Sequence, residues 1–546
     1  MGSFSFFDYL VFILYALVIL TVGLWVSRGK KGVKKTAQDY FLASKSLPWW
    51  AIGASLIAAN ISAEQMIGMS GSGMAIGLAI ASYEWMAALT LLIVGKFFLP
   101  IFIEKGLYTI PEFIEKRFGT TLKTILAIFW IALFIFVNLT SVLFLGGKAM
   151  DTILGNGDGS MIFTSIVALA LFAAAYSLYG GLSAVAWTDV IQVALLIIGG
   201  LITSIIALDH VTPSGGVIKG LVHVYETAGD KFHMILKKDN PEFMNLPGIA
   251  VLIGGMWVAN LYYWGFNQYI IQRTLAAKSL KESQNGIVFA AFLKMITPLI
   301  AVIPGIIAYV MFFHPEGTTM ISGVRDAFLK ADGGMNYDKA YPWLISTFVP
   351  AGLKGLVVAA LAAAIVSSLA SMVNSTSTIF TMDIFKPYLA KKEGKNIDVK
   401  VGRISGGIAL AIAVFVAPLL GSIEQAFQYI QEYTGLVSPG ILAVFMMGLF
   451  YKKTNNRGAV AGILASIPIA LVLKLPYFEM PWMDQMFYTF ILTMVVIMLV
   501  SLSTNPYDDD PKAIKFTNSM FKTGRAFNIG SYIILIILVV LYAVFW

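Results

Sequence analysis

Five polar side chains, Gln65, Glu84, Asn260, Lys294 and Gln431, fall inside long apolar stretches of this sequence, with Tyr83, Tyr262, Tyr263, Trp264 and Phe427 close to them along the chain. Ionisable and amide groups are costly in hydrocarbon, so each is a candidate for function. Together they offer carboxamides, one carboxylate and one ammonium beside aromatic faces. The two charges cancel, which suits a neutral polyhydroxylated ligand: a carboxylate substrate needs a surplus cation or a free helix N-terminus, and a cationic one needs a surplus anion. A sugar ring can also lay its apolar C–H face on Tyr263, as apolar ligand faces do in aromatic-lined pockets. Each residue has a plainer reading as well. Amides join helices, Glu84 and Lys294 can be a structural ion pair, and aromatic rings pack.

A second constellation is AAAIVSSLASMVNSTST, Ala362 to Thr378, where Ser367 and Ser368 place adjacent hydroxyls in an otherwise apolar helix. A hard monovalent cation takes about five or six oxygen ligands, which two hydroxyls and several unpaired carbonyls can supply without histidine. Close packing through small residues also accounts for this composition. The stretch that favours the cation is Trp49 to Gly73, which is long enough to span a bilayer but carries Asn60, Ser62, Glu64 and Gln65 in its middle and glycines after. It reads as a broken helix, tolerated in a membrane only where it lines a cavity, and an unwound turn frees carbonyl oxygens.

Elements must position these groups, and composition decides which kind. With 58% hydrophobic and 12% charged residues among 546, the chain reads as an all-α polytopic membrane protein. There is no cysteine, so disulfide and Cys-based metal chemistry are excluded. The four histidines, His210, His223, His233 and His314, read as loop residues outside the spans. GSGMAIG, Gly71 to Gly77, misses the dinucleotide fingerprint, and neither a Walker loop nor a nucleophile elbow occurs, so ATP-driven transport and enzymatic activity have no support. The net charge of +8 does not point to nucleic acid, because the cations gather in alternate short loops: Arg28, Lys30, Lys31, Lys34 and Lys35, then Lys116/Arg117, Arg273/Lys278, Lys386 to Lys400, Lys452/Lys453/Arg457 and Lys512 to Arg525. That is the positive-inside pattern.

Spans of about 20 residues are expected at 8–26, 49–72, 77–104, 122–147, 160–179, 185–208, 249–272, 284–312, 350–383, 404–420, 424–450, 458–474, 480–503 and 527–546. Fourteen spans put both termini outside and the basic clusters inside. Connections 209–248 and 313–349 are expected to be external caps, and 384–403 a solvated basic loop. The polar span Met256 to Gln272 comes five after the broken second span. An odd offset inverts the second unit, so 49–208 and 249–450 are expected to form an inverted repeat of five plus five helices in a single transmembrane domain, with 8–26 and 458–546 peripheral.

ASLIAANISAEQ (54–65), ASYEWM (81–86), YSLYGGLSAVAWTDVIQV (176–193), WVANLYYWGFNQYIIQRTLAAKS (257–279), AALAAAIVSSLASMVNST (359–376) and QAFQYIQEYTGLVSPGILAVF (425–445) resemble the solute:sodium symporter family nearly end to end. The resemblance implies a leucine-transporter-like repeat working by alternating access in the inner membrane. It implies sugar contacts at Gln65, Glu84, Asn260, Lys294 and Gln431, an inner gate at Tyr263 and an outer gate of Met69, Tyr83 and Phe427. It also implies sodium ligands at the Ala58, Ile61 and Ala364 carbonyls and the Ser367 and Ser368 hydroxyls, with Asp189 on the sodium exit path. Ala87 departs from the pattern, standing where a sugar-contacting serine is expected. The expected activity is sodium-coupled import of galactose or glucose. The alternatives are another small solute of the same family, such as inositol, proline or pantothenate, and a sugar-sensing membrane protein that does not transport.

Overall fold

The computed structural model describes residues 4–28, 35–155, 157–316, 318–319, 324–329, 333–390, 397–420, 426–505 and 509–546. Among them, eleven helices are long and apolar enough to cross a membrane: Phe6–Val26, Leu78–Glu104, Thr120–Leu154, Ile162–Gly180, Leu182–His210, Leu280–Phe313, Leu353–Leu389, Ile397–Leu420, Asn456–Leu473, Trp482–Thr504 and Arg525–Val544. Three further apolar segments are interrupted. The first is Trp49–Asn60 followed by Glu64–Met69 and Ser70–Ala75, the second Gly255–Phe266 followed by Gln268–Leu275, and the third Ala426–Gly435 followed by Ser438–Phe450. The start expected for this third segment, 424–425, lies outside the described residues.

Burial ranks these helices. In the most apolar window of Leu353–Leu389, 94% of residues are buried, against 17% for Phe6–Val26 and Arg525–Val544, so the first is a central post and the other two face the surroundings. Small residues let neighbours approach that post: a side chain at Gly199 of Leu182–His210 would collide with Ala360. The outer helix Phe6–Val26 is tied to the same post at its N-terminus. Ser5 caps it reciprocally with Asp8, and the free Asp8 oxygen accepts the backbone N–H groups of Gly352 (2.9 Å) and Gly355 (2.6 Å).

The first break falls in the polar centre of its segment, and the glycines beyond it are helical. Ile61 is extended (φ −75°, ψ 103°), and the Ser62 N–H, which would bond the Ala58 carbonyl in a continuous helix, donates instead to Gln65 Oε1 at 3.1 Å. The glycines serve packing: Gly73 lies under the Val302 carbonyl, and Gly305 of Leu280–Phe313 lies against Ser70. The second segment breaks at Asn267, also extended (φ −85°, ψ 122°).

Several expectations change. The basic loop expected at 384–403 is much shorter, because Phe380–Leu389 continues the preceding helix with π geometry and the next helix begins at Ile397. Tyr388 there reaches Thr124 (2.6 Å) and Lys386 faces Asp398 (3.9 Å), contacts that hold the helical extension. Residues 391–396, and the cations Lys30, Lys31 and Lys34, lie outside the described residues. His210 is the last residue of Leu182–His210, its ring bonded to the Ile206 carbonyl at 2.8 Å, and His223 lies within the helix Val217–Thr227, so neither is in a loop. The connections expected to be external caps contain the short helices Val217–Thr227 and Ala340–Phe348. From the first of them, the Lys231 ammonium donates to the Ala75 carbonyl (2.6 Å), a cation at a helix C-terminus. Burial pulls its pKa down.

Candidate functional site

The polar residues singled out from the sequence converge. Gln65 from Glu64–Met69, Tyr83 and Glu84 from Ser82–Ile93, Asn260 and Tyr263 from Gly255–Phe266, Lys294 from Leu280–Phe313, and Gln431 from Ala426–Gly435 all line one cavity. With its open mouth included, the space they enclose is about 790 Å³. All three interrupted segments contribute to it, and a broken span in an otherwise apolar sequence is tolerated where it lines a cavity.

Lys294 and Glu84 form a buried ion pair, with 1% and 4% of their side chains exposed. The same ammonium donates to Asn60 Oδ1 and stands 5.2 Å from the centroid of the Trp264 ring. Asn60 Nδ2 donates to the Tyr263 hydroxyl (2.9 Å), which also accepts from Tyr269 (2.6 Å). Asn260 is held by the Met256 carbonyl at 3.2 Å. Gln431 has no hydrogen-bond partner among the described residues, so its amide is available to a ligand. Tyr83 packs edge-on against Phe427, ring centroids 5.0 Å apart and planes at 82°, and its hydroxyl is buried without a partner. Of the expected gate residues, Tyr83, Tyr263 and Phe427 border the cavity, while Met69 is fully buried and does not. Ala87 lines the wall and brings no hydroxyl to it.

Sequence reasoning missed part of the lining. Asn138, Asn267 and Tyr269 border the cavity, and the Asn138 and Asn267 side-chain oxygens are buried without partners. Asn138 sits on a π-helical stretch, Phe134–Leu139, a distortion frequent at functional sites; one amide in an otherwise apolar span was the available signal. Asn60 and Glu64 were read as the cause of the break, and the structure also places both in the cavity wall.

The serine constellation lies beside the first break. Ser368 Oγ donates to the Ala59 carbonyl at 3.0 Å, joining Leu353–Ile379 to Trp49–Asn60. Ser367 Oγ donates to Asp189 Oδ1 at 2.5 Å, and Ser55 donates to the other carboxylate oxygen. A hydroxyl that donates its proton keeps lone pairs for a cation. Neither the Ala58 nor the Ile61 carbonyl accepts a backbone N–H among the described residues, since the break removes their helical donors. Ala364 lies one turn before Ser368 on the same buried helix. Arg273 requires a correction. It was grouped with Lys278 as a basic loop residue, yet it is fully buried within Gln268–Leu275 and lies 3.4 Å from Asp189, whose charge makes that burial possible.

The sequence profile described as the Sodium:solute symporter family matches residues 40–466. The chain belongs to that family. It is therefore a multi-pass membrane transporter and not an enzyme. A sodium/glucose cotransporter of Vibrio parahaemolyticus is 63% identical over 542 residues, covering 99% of this chain and 98% of the relative. A human sodium/myo-inositol cotransporter 2 is 33% identical, over 85% of this chain and 69% of the relative, and a sheep sodium/glucose cotransporter 1 is 30% identical, over 92% and 79%. A solved Na+-coupled sialic acid symporter, in a substrate-bound outward-open state, shares the fold with a TM-score of 0.77 at 24% identity, covering 91% of this chain and 98% of that one.

Proposed function

We propose that this protein is a sodium-coupled symporter that imports a neutral sugar, glucose or galactose, by alternating access across the inner membrane. The observation that carries the reading is the Glu84–Lys294 ion pair in a wall rich in carboxamides and aromatic rings, with Glu64 as a second carboxyl in the same wall. A paired carboxylate and ammonium offer hydroxyl groups both acceptors and donors and leave no surplus cation for an anionic substrate. The 63% identity to a protein named as a sodium/glucose cotransporter supports the same reading.

Gln65, Glu84, Asn260, Lys294 and Gln431 bind the sugar, Tyr263 stacks on the ring as the inner gate, and Met69, Tyr83 and Phe427 close the outer side. Sodium is held by the Ala58, Ile61 and Ala364 carbonyls and by Ser367 and Ser368, and leaves past Asp189. Eleven apolar helices and three interrupted segments among the described residues support a reading of fourteen spans, with an inverted repeat of five plus five from 49–208 and 249–450 and both termini outside. The deciding experiment is uptake of a radiolabelled panel of sugars, inositol, proline and pantothenate into proteoliposomes, with and without an inward sodium gradient. Concentrative uptake restricted to hexoses and dependent on sodium is expected. Equal uptake without sodium, or uptake of proline in preference to sugar, overturns the reading.

A further inference from the structure

The cation site proposed above has a resident neighbour of its own charge. Asp189 is fully buried and, among the described residues, Arg273 alone brings a cationic group within 4.0 Å of it. A well-made arginine–carboxylate pair is a two-pronged contact at about 2.7–2.9 Å. This one is a single contact of Arg273 Nη2 at 3.4 Å, and the carboxylate oxygens are taken up by the hydroxyls of Ser367 and Ser55. The guanidinium is anchored mainly elsewhere: Nε donates to the Ser55 carbonyl (3.0 Å) and hydroxyl (2.7 Å), Nη1 to the Tyr269 carbonyl and Nη2 to the Ser371 hydroxyl. Arg273 therefore neutralises Asp189 while remaining held when another cation takes its place beside the carboxylate.

Its anchors also join three separate elements. Ser55 belongs to the first broken segment, Arg273 and Tyr269 to the second half of the second, and Ser371 to the central post. The Tyr269 hydroxyl donates to Tyr263 in the sugar cavity.

We infer that Arg273 is a built-in competitor of sodium: its guanidinium holds Asp189 in the cation-free state, weakens the hold of the site on sodium and so promotes release. This rests on the cation site proposed above. Two like charges drawn to one buried carboxylate oppose each other strongly where water cannot screen them.

The test measures sodium binding to purified full-length protein by sodium-dependent thermal stabilisation, together with release of 22Na from preloaded protein. Arg273→Gln is expected to lower the sodium half-saturation at least fivefold and to slow release. Because that variant leaves Asp189 without its counter-charge and risks unfolding, the pair Asp189→Asn and Asp189→Asn/Arg273→Gln carries the same question. Asp189→Asn leaves the guanidinium uncompensated beside the site and should bind sodium much more weakly than the parent, whereas the double variant, neutral at both positions, should recover at least threefold of that loss. A folded Arg273→Gln with unchanged or weaker sodium binding, or a double variant no better than Asp189→Asn, overturns the inference. Ser368→Ala separates the two claims: if it shifts the sodium dependence while the Arg273 variants do not, only the competitor fails. If it shifts nothing, the cation site itself is misplaced.

Discussion

Lys294→Ala is the most informative single change, because its cost can be worked from the geometry. Deleting the ammonium removes the contact Glu84 makes with its counter-charge and leaves Asn60 Oδ1 without a donor, in a wall where the two charged side chains are 1% and 4% exposed. Breaking a buried pair by removing one partner costs about 3–5 kcal/mol. The stranded carboxylate is worst placed when a sugar fills the cavity and excludes water, so much of that cost falls on binding. At about 1.4 kcal/mol per tenfold, even 3 kcal/mol is a loss of about 150-fold in affinity. Transport is expected to be abolished.

Adding Glu84→Gln removes the stranded charge and supplies an amide that can donate in place of the ammonium. The double variant should then bind sugar at least about tenfold better than Lys294→Ala alone, a recovery of ~1.4 kcal/mol. The assay is equilibrium binding of labelled glucose to parent, single and double variants at saturating sodium, analysed as a double-mutant cycle. Losses that add to within about 0.5 kcal/mol would show that the two residues do not act as a pair. The charge-based case for a neutral substrate would go with them.

Gln431→Ala should cost about 0.5–1.5 kcal/mol in sugar binding, the worth of one neutral hydrogen bond, and Glu84→Gln should not rescue it; rescue would place Gln431 in the ion-pair network. Ser368→Ala removes one oxygen from the cation site, so the sodium concentration for half-maximal uptake should rise and sugar binding should partly recover at very high sodium. A sodium dependence equal to the parent's would make Ser368 a packing residue. Ala87→Ser adds a hydroxyl to the cavity wall and should change the glucose-to-galactose preference in competition uptake by up to about tenfold, roughly one hydrogen bond; an equal change for every sugar argues against a contact at that wall. One sodium moving down a tenfold gradient supplies ~1.4 kcal/mol, and a potential of about 100 mV adds ~2.3 kcal/mol. One-to-one coupling therefore sustains on the order of 500-fold accumulation in vesicles, and equal accumulation on a proton gradient without sodium would refute sodium coupling.

The sugar-side residues were legible because an ionisable or amide group in an apolar run stands out whatever its partner: Glu84 and Lys294 are 210 residues apart and each is conspicuous alone. Arg273 was not legible for the complementary reason. It follows a polar stretch and precedes Lys278, so it resembles a loop cation, and what makes it tolerable inside the protein is Asp189, 84 positions earlier on another helix. Asn138 carried the same signal, an amide in an apolar span, and was equally legible. Hydropathy likewise finds the three interrupted segments, and the first break was legible from Asn60, Ser62, Glu64 and Gln65 in the middle of its segment, whereas the positions of the other two were not. The first break depends on Gln65 capturing the Ser62 N–H and hydroxyl, both at 3.1 Å, a local exchange of a backbone acceptor for a side-chain one. Helix ends such as those around 384–403 depend on long-range contacts, here Tyr388 with Thr124, that no local pattern reports.

That first break also supplies a physical reason for coupling. Within eleven positions, Ser55 touches Asp189, Ala58 and Ile61 offer carbonyls freed by the unwinding, Asn60 accepts from Lys294 and donates to Tyr263, and Gln65 lines the sugar cavity. The two sets of contacts therefore share one short stretch of backbone. If sodium draws the Ala58 and Ile61 carbonyls inward, the turn that carries Asn60 must reorient with them, and Asn60 is the bridge between the ion pair and Tyr263. A ligand shifts a conformational equilibrium only by its differential affinity for the two states, and coupling between two ligands is reciprocal. Sugar contacts made through Lys294 and Asn60 must then strengthen sodium binding by the same factor by which sodium strengthens sugar binding.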